Sequence, residues 1–244
     1  MKRKLSSVKS PKIFLTCEHA GNQIPARYKN LFSKNHGVLR THRGSDPGAF
    51  AVANELERLT RTKLYYTKIS RLVVDMNRSP ESETALSRWT KSLSEDERAR
   101  IFETIYWPYR RLVDSKVKTA LGNERRLAHV GIHSFSPYLD PSRKSCDIGL
   151  LFDPKSRFET RLCKQLKVHL ERLFPDLGIR MNFPYRGDAD GLTTDLRKKY
   201  RPTRYAGIEI EFNQALLRKL IKQNSLKAFA LNFSLCLLAA AAET

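Results

Sequence analysis

Apolar residues fall into six short runs along the 244-residue chain: Lys12–Glu18, Leu64–Ile69, Leu72–Asp75, His129–Ser134, Asp147–Phe152 and Gly207–Phe212. Several are continuous and rich in β-branched residues, the pattern of strands covered on both faces. Between them the period changes to that of helices. Asp46-Pro47 reads as an N-cap with proline at the first helical position, followed by the stripe Phe50, Val52, Ala53, Leu56 and Leu59. Ser94 and Glu97 form a capping box before Ile101, Ile105, Tyr109 and Leu112, predicting a long helix to about Leu121, kinked at Pro108. A third helix is expected from Ser156 to Leu173, and a buried one from about Ser225 to the end of the sequence. Strands alternating with helices make a layered α/β fold. The stretches Asn35–Gly48, Ser136–Cys146 and Asn182–Tyr205 read as long loops, where function tends to collect.

Composition narrows the class. With 41% hydrophobic residues the chain can bury one sizeable core, so residues 12–244 are expected to form a single domain behind a basic tail over 1–11. The apolar stretch after that tail is too short for a signal-peptide core, and Ala228–Ala242 is shorter than a membrane span and interrupted by Asn232 and Ser234. Four scattered cysteines with no CxxC pair fit reduced thiols of a cytoplasmic protein. A net charge of +20 invites a nucleic-acid reading, but the excess Lys and Arg are spread along the chain, which suits a protein that handles small anions.

Of six histidines, His19 and His133 end two predicted strands, and ligand crevices in open α/β sheets lie beyond such ends. Two imidazoles, one carboxylate and an open position make a catalytic zinc site. The carboxylate is Asp46 or Glu18. Asp46 is favoured, because neighbours on an extended strand point to opposite faces and Glu18 would then point away from His19. The segment Ser70–Arg78 carries Arg71 and Arg78 at either end of an apolar run, with Asn77 beside them. Guanidinium forks and an amide donor suit a substrate carboxylate, and a second arginine suits a carbonyl gaining charge, while surface arginines paired with Asp75 would account for the same residues. In Gly207–Asn213, alternation puts Glu209 and Glu211 on one face, and Glu211 is the candidate general base, with Glu209 in reserve. An edge strand with one wet face would also account for both. The loop Asn182–Gly187 offers Tyr185 and Arg186 to the pocket, or is a turn with an aromatic anchor.

Taken in order, Thr16-Cys17-Glu18-His19-Ala20-Gly21-Asn22 with Ile24-Pro25, Ser45–Ala49, Ser70-Arg71 through Asp75-Met76-Asn77-Arg78, Gly131–Phe135 and Glu209-Ile210-Glu211 resemble the N-formylglutamate amidohydrolase family. The likeness runs from about Ile13 to Leu217. It implies a three-layer α/β/α fold with a mixed, mostly parallel sheet, similar to zinc carboxypeptidases, and hydrolysis of a small anionic N-acyl amino acid. It further implies one Zn2+ on His19, His133 and Asp46, Asn77 and Arg78 on the substrate carboxylate, Arg71 beside the carbonyl oxygen, and Glu211 as base. Zinc carboxypeptidases carry His-x-x-Glu, whereas Ala20-Gly21-Asn22 follows His19, so the acidic ligand must come from elsewhere. A carboxypeptidase-like action on short peptides or γ-glutamyl compounds is the rival activity, and a basic nucleic-acid-binding protein without turnover is the rival class.

Overall fold

The computed structural model describes residues 10–137 and 146–244. Residues 1–9 of the expected tail and 138–145 of the loop Ser136–Cys146 lie outside them. In chain order the elements are β1 (Lys12–Cys17), the 3-10 segment Ala26–Asn35, the single turn α1 (His36–Leu39), α2 (Ala49–Thr60), β2 (Leu64–Tyr66), the single turn α3 (Arg88–Lys91), α4 (Glu95–Ile101), a π-wound turn (Phe102–Tyr106) and α5 (Trp107–Asn123). There follow β3 (Leu127–Phe135), β4 (Ile148–Leu151), α6 (Arg157–Leu173), β5 (Ile179–Met181), α7 (Leu192–Lys199), β6 (Tyr205–Asn213), α8 (Gln214–Lys222) and α9 (Leu226–Ala242).

The strands form one six-stranded sheet in the order β2-β1-β3-β6-β4-β5. Every pairing is parallel except β4 with β6, so the sheet is mixed and mostly parallel, as expected. Strand alternation splits the side chains between two layers. Ile13, Leu15, Val130, Ile132, Ile208, Ile210 and Phe212 pack on one face against Leu56 of α2, Leu162 and Leu166 of α6, and Phe233 and Leu237 of α9. On the other face Phe14, Leu127 and Tyr205 meet Tyr106, Tyr109, Val113 and Val117 at the N-terminal ends of the strands. Towards the C-terminal ends this second face turns polar, and the site lies there.

Several expectations need correction. Leu72–Asp75 is a series of turns, held by hydrogen bonds such as Val73 N to Ser70 O, and it is apolar because Val73 and Val74 are fully buried. β5 is a three-residue edge strand with too little pattern to read. Asp46 does not cap α2, whose N-cap is Gly48 at φ 86° without a side-chain bond. The stretch Asn182–Tyr205 contains α7. At Pro108 the relief comes one turn earlier: the proline lacks an N–H and crowds the carbonyl four residues back, and the π turn Phe102–Tyr106 absorbs the misfit. Leu112 faces solvent, and Val113 and Val117 take the inward stripe. α9 seats Phe229, Phe233 and Leu237 in the core but leaves Leu231, Leu235 and Leu238 exposed. Among the described residues no helix is long and apolar enough to cross a membrane. All four cysteines are buried and unpaired.

Candidate active site

β6 lies inside the sheet, so its glutamates are not the wet face of an edge strand. Its register with β3 sets Glu211 opposite His133 and Glu209 opposite Gly131. β1 delivers Glu18 and His19 just past its end, and the turn before α2 delivers Asp46, whose N–H donates to the carbonyl of His19 at 3.1 Å. These segments share a buried centre: His19, Asp46, Glu18, His133 and Glu211 are each 6% exposed or less.

Asp46 is the hub. Its Oδ2 lies 3.0 Å from Nδ1 of His133 and 3.3 Å from Nδ1 of His19, and it accepts the backbone N–H of Ser134 at 3.3 Å. One ligand atom from each of His19, Asp46 and His133 falls within 4.8 Å of the others, a set that could hold a metal ion. Behind His19, Nε2 is 2.7 Å from Asp75 Oδ1, and Arg71 ties Asp75 to Asp46 through bonds of 2.9 to 3.2 Å. Behind His133, Nε2 is 3.0 Å from Glu18 Oε2 but off the axis of a hydrogen bond, while Tyr109 donates to Glu18 Oε1 at 3.1 Å.

The charges follow from these contacts. Burial works against an ionised Glu18, yet contact with His133 outweighs it and brings the carboxyl down to about 2. Burial opposes ionisation of Asp46 and Asp75 too, but His19 and Arg71 hold both below the usual range. Burial disfavours protonated imidazoles, and the flanking carboxylates reverse this, raising both His19 and His133. Glu211 goes the other way. Burial pushes it up to about 8, with Asp46 and Glu209 adding to the effect, and its Oε2 has no hydrogen-bond partner. The acidic centre thus favours positive charge where the two imidazoles meet Asp46, the place a dication takes when histidine and carboxylate ligands bind metal.

A cavity of about 390 Å³ opens onto this centre, lined by His19, Asp46, Arg71, His133, Glu209 and Glu211 and, on its far wall, by Asn77, Arg78, Tyr185 and Arg186. Every residue expected at the site except the alternative ligand Glu18 therefore reaches one cavity. Their engagement differs. Asn77 spends its amide inside the protein, Nδ2 donating to Glu209 Oε1 at 3.2 Å and Oδ1 accepting from the N–H of Leu192 at 2.7 Å. Arg78 is anchored through Nη1 to the carbonyls of Asn77 and Asp190, each at 2.9 Å. Arg186 pairs with Asp188 near the rim, and Tyr185 is 45% exposed there. The loop carrying these two sits directly on the sheet: a Cβ on Gly149, in register with Glu211, would come within 2.0 Å of the Phe183 carbonyl oxygen, and one on Gly187 within 1.9 Å of the Phe152 nitrogen.

A sequence model of the N-formylglutamate amidohydrolase family matches residues 11–218. The chain belongs to the N-formylglutamate amidohydrolase family. As in the family description, it is a hydrolase of the amidase class. The solved structure of a gene product of Agrobacterium tumefaciens is 31% identical, with a TM-score of 0.77 over 93% of this chain and 88% of that one. An N-formylglutamate amidohydrolase from Ralstonia eutropha is 17% identical with a TM-score of 0.66, covering 93% of this chain and 94% of that one, and shares the fold. No curated protein matches the sequence. Within this amidohydrolase, sequence reasoning offered Asp75 only as a partner of the nearby arginines, a pairing that Arg71 makes, gave it no part behind His19, and saw Glu18 only as a rival ligand. The signal for Asp75 was the buried charge itself, since an acid between Val74 and Met76 needs a partner.

Proposed function

We propose that the chain is a zinc-dependent amidohydrolase that releases the acyl group of a small N-acyl acidic amino acid, with N-formylglutamate as the first substrate to test. The observation that carries this reading is the convergence of His19, Asp46 and His133 within 4.8 Å beside the unpartnered buried oxygen of Glu211. Nitrogen and carboxylate donors in this number suit zinc with a position left for water or substrate. When bound there, the ion supplies a Lewis acid and a water of lowered pKa.

The chain's own groups divide the remaining work. Glu211 Oε2, buried and without a hydrogen-bond partner beside the cluster, takes the proton of the attacking water and returns it to the leaving nitrogen. Arg71, tied to Asp46 and Asp75, lends positive charge to the carbonyl oxygen as it becomes an oxyanion. Arg78 holds the substrate carboxylate. Asn77, whose amide is committed to Glu209 and Leu192, shapes the wall on which Arg78 rests. Tyr185 and Arg186 close the rim around the amino-acid side chain.

The test pairs metal analysis of the purified protein with a panel of formyl, acetyl and peptidyl substrates. Zinc at about one per chain and turnover of formyl compounds support the reading. Preference for peptidyl substrates would transfer it to a carboxypeptidase-like activity. Glu211→Gln should keep zinc and lose turnover by about 10²- to 10⁴-fold. Near-normal turnover in that variant would falsify the proton shuttle.

A further inference from the structure

Each of the two metal-facing imidazoles has a carboxylate of its own on the ring's far side. For His19 it is Asp75, at 2.7 Å from Nε2, and for His133 it is Glu18, at 3.0 Å from Nε2. In both rings this leaves Nδ1 turned to Asp46 Oδ2. Glu18 is 2% exposed, and a carboxylate so placed is costly unless its oxygens are occupied. One makes an ion-pair contact with His133 off the hydrogen-bond axis, and the other accepts the phenol O–H of Tyr109, itself 7% exposed and also within 3.3 Å of the Tyr65 carbonyl. Tyr109 comes from α5, which packs on the same face of the sheet, so the glutamate is gripped between two elements.

We infer that Glu18, steadied by Tyr109, is the positioning residue of His133, fixing which ring nitrogen faces the cleft shared with His19 and Asp46. The inference rests on the metal reading given above. Sequence alone left Glu18 as a possible ligand; the geometry sets it behind the ring, and among the described residues the converging donors are His19, Asp46 and His133. A carboxylate behind a ligating imidazole accepts its second N–H, selects the tautomer and raises the basicity of the ligating nitrogen. Ordinary packing would not require a charge at this point. A hydroxyl partner satisfies the neighbouring His129 of the same strand, through Thr16 at 2.8 Å and Tyr205 at 2.7 Å. The carboxylate is therefore specific to the histidine that faces the cleft.

The experiment is zinc titration of the whole chain against a chromophoric chelator, for the wild type, Glu18→Gln, Tyr109→Phe and the double variant, well below every melting temperature. Glu18→Gln should bind zinc about 10- to 100-fold more weakly. Tyr109→Phe should lose about three- to tenfold, and the double variant should be no weaker than Glu18→Gln, because the phenol acts through the glutamate. In the zinc-loaded protein the Nε2 proton of His133 should resonate further downfield and exchange more slowly with water in the wild type than in Glu18→Gln, a change that a purely structural role would not produce. Wild-type protein that takes up no zinc would sink the metal reading itself. Wild-type binding matched by Glu18→Gln would sink only the role of Glu18. Should Glu18→Gln fail to fold, Tyr109→Phe decides: unchanged affinity and unchanged His133 shifts overturn the inference, and a loss in both upholds it.

Discussion

His129 and His133 stand on the same strand, point from the same face, and are 0% and 2% exposed. Burial alone would give them one fate. His129 meets two hydroxyls, Thr16 and Tyr205, and burial brings it down to about 4, so it stays neutral and knits β1, β3 and β6 together. His133 meets two carboxylates, Asp46 and Glu18, which outweigh the same burial and raise it. Neutral partners leave His129 a structural histidine, and charged partners make His133 one that favours positive charge. Position along the strand decides which: His129 lies between the rings of Phe14 and Tyr205, while His133 reaches the C-terminal end where the cavity opens.

Substitutions can break this contrast. The largest effect is expected from His133→Ala, which should weaken zinc binding by more than about 100-fold, since a ligand is worth more than its outer partner, and should take turnover with it. His129→Leu should leave zinc stoichiometry and turnover near wild type. It strands two buried hydroxyls, however, and urea unfolding should show a loss of about 1–3 kcal/mol. The contrast sharpens with pH. A histidine whose folded value is depressed from 6.5 to about 4 favours the folded state fully above its unfolded value, and that contribution fades as pH falls through this window. The wild type should therefore lose about 2 kcal/mol more than His129→Leu between pH 7 and pH 5, measured by urea unfolding at each. Equal losses would mean that His129 is not held neutral. The smallest effect is expected from Tyr205→Phe, about 1 kcal/mol with no change in zinc binding.

Much of the fold was legible because buried strands announce themselves: the runs at β1, β3 and β6 are apolar on the face that packs beneath α2, α6 and α9. Leu72–Asp75 deceived for the same reason. A loop that must cover a site is buried like a strand, and composition records burial rather than backbone shape. Asp46 deceived differently. An acid followed by proline looks like a helix cap, but its carboxylate turns from α2 to the histidines. The alternation that set Glu18 against Asp46 holds only while the strand continues. β1 ends at Cys17, and Glu18 and His19 both reach His133, their rings and carboxylate meeting it from different sides. Asn77 could be placed at the cavity from its motif, yet the hydrogen bond it accepts from Leu192 depends on α7, which no apolar stripe disclosed.

The seating of the Asn182–Gly187 loop on β4 carries a lesson for redesign. Because bare backbone meets bare backbone at Gly149 and Gly187, that wall cannot be thickened by any side chain without lifting the loop and its tyrosine away from Glu211. Attempts to admit bulkier ligands, or to exclude them, should therefore work at Tyr185 and Arg186, where the rim is made of movable side chains, and leave the two glycines alone.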